Sequence, residues 1–111
     1  MGRQWQRRRA GRTGGPAGLP ALPVVNVLLA PDGGESTIEV SWGQGASLLL
    51  TIEMFDVTNL EEPEDTHGPQ LYGVGYHEHV FGGQNNTTYR FRFSAPGYQE
   101  LWVGDVLLTN E

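Results

Sequence analysis

The chain has 111 residues, which suits one domain, and its composition excludes a disulfide framework or a thiolate metal site because it has no cysteine. All seven cations are arginine, and five of them (Arg3, Arg7, Arg8, Arg9 and Arg12) precede the first acid at Asp32, so the rest of the chain sets two cations against thirteen acids, a balance of −11. A body of that charge repels nucleic acid and anionic membrane, leaving the basic segment as the only part suited to either.

Residues 1–23 are rich in Gly, Arg and Pro, and carry only isolated apolar residues such as Trp5 and Leu19. The composition predicts a flexible arm that orders on a partner. Pro20, Pro23 and Asn26 interrupt any apolar core of a signal peptide, and no apolar run approaches the ~20 residues needed to span a membrane. Residues 24–111 form the predicted domain.

Val24–Ala30 is a continuous apolar run and reads as a first strand, closed by the turn Pro31-Asp32-Gly33-Gly34. In Ser36–Trp42, Ile38, Val40 and Trp42 share one face, and Thr37, Glu39 and Ser41 share the other. Gly43-Gln44-Gly45 reads as a hairpin-like connection. Leu48–Val57 is a long strand with Leu48, Leu50, Ile52 and Met54 on one face, and Leu49 and Phe55 on the other. An acidic loop over 58–70 follows, then a strand over Leu71–Phe81. The loop Gly82–Asn86 leads to Tyr89–Phe93, where Tyr89, Phe91 and Phe93 alternate with Arg90 and Arg92. Pro96-Gly97 turns the chain into a last strand, Leu101–Leu108, with a bulge or bend at Gly104-Asp105. Six or seven short strands at about ten-residue spacing, with no helical period, predict an all-β, two-layer antiparallel sandwich. Its core would centre on Tyr89, Phe91, Phe93 and Trp42, with Trp102 as a further candidate.

The segment Tyr89-Arg90-Phe91-Arg92-Phe93-Ser94-Ala95-Pro96-Gly97-Tyr98-Gln99 resembles the closing part of carboxypeptidase regulatory-like domains, which are transthyretin-like sandwiches. The resemblance covers about 20 residues and departs upstream, where Gln84–Thr88 stands in place of an Asp-x-x-Gly-x-Phe turn. The chain ends Leu108-Thr109-Asn110-Glu111 rather than in the Tyr-Arg-Gly-Ser of transthyretin-like hydrolases, so hydrolase activity does not carry over. The resemblance implies a transthyretin-like sandwich acting as a non-catalytic accessory or binding module, and the strand pattern alone suits an immunoglobulin-like sandwich as well.

Three clusters are candidates for chemistry. His77 and His79 lie two residues apart, so a strand sends both imidazoles to one side, where they can share a metal. His67 or a carboxylate of the acidic loop would supply a third ligand. The competing reading is structural, in either of two registers. One turns the histidines to solvent and Tyr72, Val74, Tyr76 and Val80 inward. The other turns the histidines to the core and sets Glu78 against Arg90 or Arg92. The oxygen-rich segment Asp56, Asn59, Glu61, Glu62, Glu64 and Asp65 suits Ca²⁺ by ligand type but lacks the EF-hand spacing. Tyr72, Tyr98 and Trp102 would form a sugar-stacking platform if exposed, against core packing as the alternative. Asn85-Asn86-Thr87-Thr88 holds two overlapping glycosylation sequons, relevant only to a secreted chain.

No cofactor is expected, and no Ser/His/Asp set or phosphate loop has recognisable context. The expected class is a binding or structural module whose partner is a protein, another copy of the chain, or a carbohydrate. The opposite charges of arm and body fit a large assembly of virion or surface-layer type in which the arm contacts a neighbour, and an extracellular setting fits a carbohydrate ligand.

Overall fold

A computed structural model describes residues 18–109; the arginines Arg3 to Arg12 and the chain end at 110–111 lie outside the described residues. Seven strands are described. They are β1 (Val24–Asp32), β2 (Thr37–Gln44), β3 (Leu48–Asp56), β4 (Asp65–Tyr72), β5 (Gly75–Gly82), β6 (Thr87–Ser94) and β7 (Leu101–Leu108). They form a two-layer antiparallel β-sandwich, with a three-stranded sheet in the order β1-β2-β5 and a four-stranded sheet in the order β4-β3-β6-β7.

The alternation read from the sequence decides which faces meet. Ile38, Val40 and Trp42 of β2, Leu48, Leu50, Ile52 and Met54 of β3, and Tyr89, Phe91 and Phe93 of β6 are all buried between the sheets. The layers interlock through edge-to-face rings, the geometry that matches a ring's positive rim to its neighbour's negative face. Trp42 meets Phe93 at 5.8 Å, and Phe81 meets Phe91 at 5.3 Å.

Three connections stay within a sheet and three cross between the layers. β1 and β2 join through a tight turn, in which the Glu35 amide donates to the Asp32 carbonyl at 3.1 Å. The β6–β7 hairpin turns at Pro96-Gly97, where Gly97 takes φ 87°, a conformation open to glycine at no steric cost. The register of β6 on β7 shifts at Asp105, the bulge expected from Gly104-Asp105.

Five sequence expectations change. Gly43-Gln44-Gly45 does not make a hairpin, because β2 and β3 belong to different sheets. The second half of the acidic loop is the edge strand β4, and the run expected over Leu71–Phe81 is divided by a turn at Gly73-Val74 into β4 and β5. β4 carries Gly68 and Pro69 and has no alternation, a composition an edge strand tolerates because one side needs no ladder. The folded part also begins earlier than Val24. Leu22 is buried, and the Leu19 and Pro20 carbonyls accept from the side chain and backbone of Gln99. Finally, Trp102 lies on the outer face of the four-stranded sheet rather than in the core.

Candidate functional site

Strand pairing settles the register of β5. Val40 is buried and pairs with His79, and Trp42 is buried and pairs with His77. Directly paired residues project to the same side, so both histidines turn toward the space between the sheets and Tyr76, Glu78 and Val80 face outward. This corrects the register with inward Tyr76 and Val80. It also removes Glu78 from the arginines, since Glu78 pairs with Ser41 on β2 while Arg90 and Arg92 lie on the other sheet.

On the inner side the three histidines of the chain gather along the seam where the free edges of β4 and β5 face each other. His67 and His79 stack with ring centroids 3.6 Å apart and planes 16° apart. His67 Nε2 is 2.6 Å from the Tyr72 hydroxyl, and His77 Nε2 donates to the Gly73 carbonyl at 2.8 Å. Tyr72 packs against His77 at 4.7 Å and edge-on to Trp42 at 5.2 Å. The His77–His79 spacing thus sends both rings to one side, as expected, but each ring is engaged by different partners. Among the described residues, no group of three or more His, Cys, Asp or Glu is arranged to hold a metal ion. Side-chain oxygens of Asp56 and Asn59 serve the segment's own turns. Asp56 accepts from the Thr58 amide and hydroxyl, which lowers its pKa, and Asn59 accepts from the Glu61 amide.

The residues of the expected aromatic platform do not come together. Tyr72 is in the β4–β5 seam, Tyr98 is half-buried in the β6–β7 turn, and Trp102 is on β7 at the far edge of the four-stranded sheet. Trp102 packs on Phe55 at 5.1 Å, and the Arg92 guanidinium lies 5.1 Å from the Phe55 ring and 5.2 Å from the Trp102 ring. Arg92 also holds Glu53 at 2.7 Å, and Arg90 clamps Asp105 through two bonds of 2.6 and 3.0 Å. Both described arginines are therefore bound to carboxylates of their own sheet.

The outer face of the three-stranded sheet has the opposite character. Its cross-strand rows are Tyr76–Gly43–Val25, Glu78–Ser41–Leu28 and Val80–Glu39–Ala30. Val25 is 54% exposed, Leu28 61%, Tyr76 74% and Val80 52%. Glycine at position 43 lets the Tyr76 ring and the Val25 side chain close over the backbone in the first row, 3.2 and 3.4 Å from where a Cβ would stand. A shallow groove of about 240 Å³ runs there between Pro23, Val25, Gly45, Gly75 and Tyr76. Glu39 and Glu78 sit diagonally on adjacent strands in the centre of the strip. The neighbouring Glu78 carboxyl, through hydrogen bonding and charge, raises the Glu39 pKa above the usual carboxylate value. No arginine reaches this pair among the described residues.

The sequence places Glu39 on the face opposite Trp42, but of the two registers it leaves open for β5, the one that turns the histidines inward offers Glu78 an arginine rather than Ser41, because the pairing of β5 with β2 is a long-range choice. Gln44 was also missed. It is the buried polar residue at the end of β2, accepting from Trp42 Nε1 at 2.8 Å and donating toward the Ala46, Tyr72 and Gly73 carbonyls at 3.1 to 3.4 Å. A glutamine between two glycines gives no sign of this from sequence.

The class defined by these observations is an all-β, two-layer antiparallel sandwich with one apolar, acidic outer face. Comparison with protein-family models, with curated proteins and with solved structures found no match.

Proposed function

We propose that this chain is a non-catalytic binding module that engages a protein partner through the outer face of its three-stranded sheet, and that the partner is the arginine-bearing segment Arg3–Arg12 of a second copy. The observation that carries the reading is the Glu39–Glu78 pair inside a strip of exposed Val25, Leu28, Tyr76 and Val80. Glu78, with no cation on the pair among the described residues, makes Glu39 harder to charge, so an arriving guanidinium relieves that penalty as well as forming new bonds. The apolar rim supplies area that becomes dry on contact. The only cations outside the two paired arginines are those of residues 1–12, and Trp5 beside them offers an apolar anchor. The seven-strand order fits an immunoglobulin-like arrangement. The resemblance of Tyr89–Gln99 to carboxypeptidase regulatory-like domains fits an accessory role, with no chemistry attached.

Sedimentation of the full chain, of the chain lacking residues 1–17, and of the Glu39→Gln/Glu78→Gln double variant tests this at low and high salt. Self-association of the full chain should be lost on deletion and in the double variant. It should also fade toward 1 M salt, where the screening length falls to about 3 Å. Equal, salt-independent masses for all three would contradict it and turn attention to a different partner, carbohydrate included.

A further inference from the structure

Among the described residues β4 pairs only with β3, and β5 pairs only with β2, so on this side each sheet ends in a free edge. His67 of β4 projects inward beside Ile52, and His79 of β5 projects inward beside Val40. Their stacked rings close the seam over Phe81, whose ring stands edge-on to His79 at 4.8 Å. The other titratable groups facing this point are Asp65 and Tyr72 on β4 and His77 on β5. β2 and β3 present Val40, Trp42 and Ile52 here, while Glu39 and Glu53 project from the two outer faces.

We propose that the His67–His79 stack is a proton-sensitive latch, which holds the β4 and β5 edges together while at most one ring is charged and releases them when both are.

Neutral imidazoles stack favourably, but two imidazolium rings at this separation bring like charges into van der Waals contact in a half-buried site. The two rings are not equivalent. The Tyr72 hydroxyl donates to His67 Nε2 when that ring is neutral with its proton on Nδ1. It accepts from Nε2 when that nitrogen carries a proton, so the contact is compatible with either form of the ring. Burial raises the Tyr72 pKa, which keeps the hydroxyl protonated throughout this range. Among the described residues the His79 ring has no hydrogen bond. Burial and the neighbouring His67 push its pKa below the ordinary imidazole value, with Asp65 offsetting part of the effect. A proton on His79 therefore needs a lower pH than an ordinary imidazole does, and beside a charged His67 it replaces an attraction by a repulsion across the seam. The opened state would present two unpaired strand edges, each a ready template for strand addition.

The test follows the histidine Hε1 resonances of the full-length chain by NMR from pH 8 to 4.5, together with amide exchange in β4, β5 and β6. In His67→Phe the stack keeps a ring but loses one charge. The His79 midpoint should then rise by about one unit, a tenfold gain in proton affinity. In the wild type, after correction for intrinsic exchange, amides of β4 and β5 should open at least tenfold more than those of β6 as pH falls through the His79 midpoint. That differential opening should vanish in His67→Phe and in His79→Phe, and either variant alone suffices if the other does not fold. An unchanged His79 midpoint in His67→Phe, or equal acid opening of β4 and β5 with and without the second charge, would overturn the proposal.

Discussion

Replacing Gln44 by Leu removes one side chain of nearly unchanged size and leaves at least one buried donor without a partner. Trp42 is fully buried, so its Nε1–H has no access to water once the 2.8 Å acceptor is gone. An orphaned buried polar group costs about 1–3 kcal/mol. The carbonyls of Ala46, Tyr72 and Gly73 lose the Gln44 amide as well, but those bonds are longer and the carbonyls less enclosed, adding about 1 kcal/mol together. The expected loss is about 2–4 kcal/mol, or roughly 10–30 °C in Tm for a domain of this size. Thermal unfolding followed by circular dichroism measures it. A double-mutant cycle with Trp42→Phe isolates the pair, since the orphan disappears when the indole N–H does. The Gln44→Leu loss should shrink by at least 1 kcal/mol in the Trp42→Phe background, the usual scale for contacting pairs. A Gln44→Leu protein melting within two degrees of wild type, or a cycle that closes additively, would refute the reasoning.

Phe91→Ala should lose about 3–5 kcal/mol by chemical denaturation, the range for truncating a buried Phe, because it is fully buried against Phe81. Gly68→Ala should destabilise by at least about 1–3 kcal/mol, since Gly68 takes φ 103° and a Cβ there would run into the Leu50 carbonyl; a stable Gly68→Ala protein would show that β4 adapts. Stability should fall as pH drops below about 6.5, because a histidine held low in the fold binds its proton more weakly than in the unfolded chain, and His79→Phe should flatten that part of the profile. A further decline should follow below the ordinary aspartate range. There Asp105, lowered by its bond to Arg90, takes up its proton and the clamp is lost. Each partner is more than a third exposed, so Asp105→Asn should cost less than about 1 kcal/mol at neutral pH.

The layers and the inner faces were legible because alternation is a local property. Ile38–Val40–Trp42 and Tyr89–Phe91–Phe93 each name their buried side without knowledge of the partner strand. What escaped was pairing. Whether β5 sits beside β2 or β6 is set by closure of the whole sandwich, and that choice decided the partner of Glu78 and the direction of the histidines. β4 was hidden for a different reason. As an edge strand with Pro69, paired on one side and largely exposed, it needs no apolar alternation, so its residues read as loop. Trp102 illustrates a third difficulty. A large apolar ring need not enter the core when an arginine and a second ring cover it, as Arg92 and Phe55 do here. The Glu39–Glu78 pair combines these effects, being two ordinary surface acids until the sheet order brings them together.

The proposed association is tested most directly by a concentration series of ¹⁵N-labelled full-length chain at low and high salt, with amide shifts assigned strand by strand. At low salt, shifts that grow with concentration should cluster at Val25, Leu28, Glu39, Tyr76, Glu78 and Val80, and should disappear at high salt. Shifts confined to the four-stranded sheet, or spectra independent of concentration and salt, would contradict the assignment of the binding face.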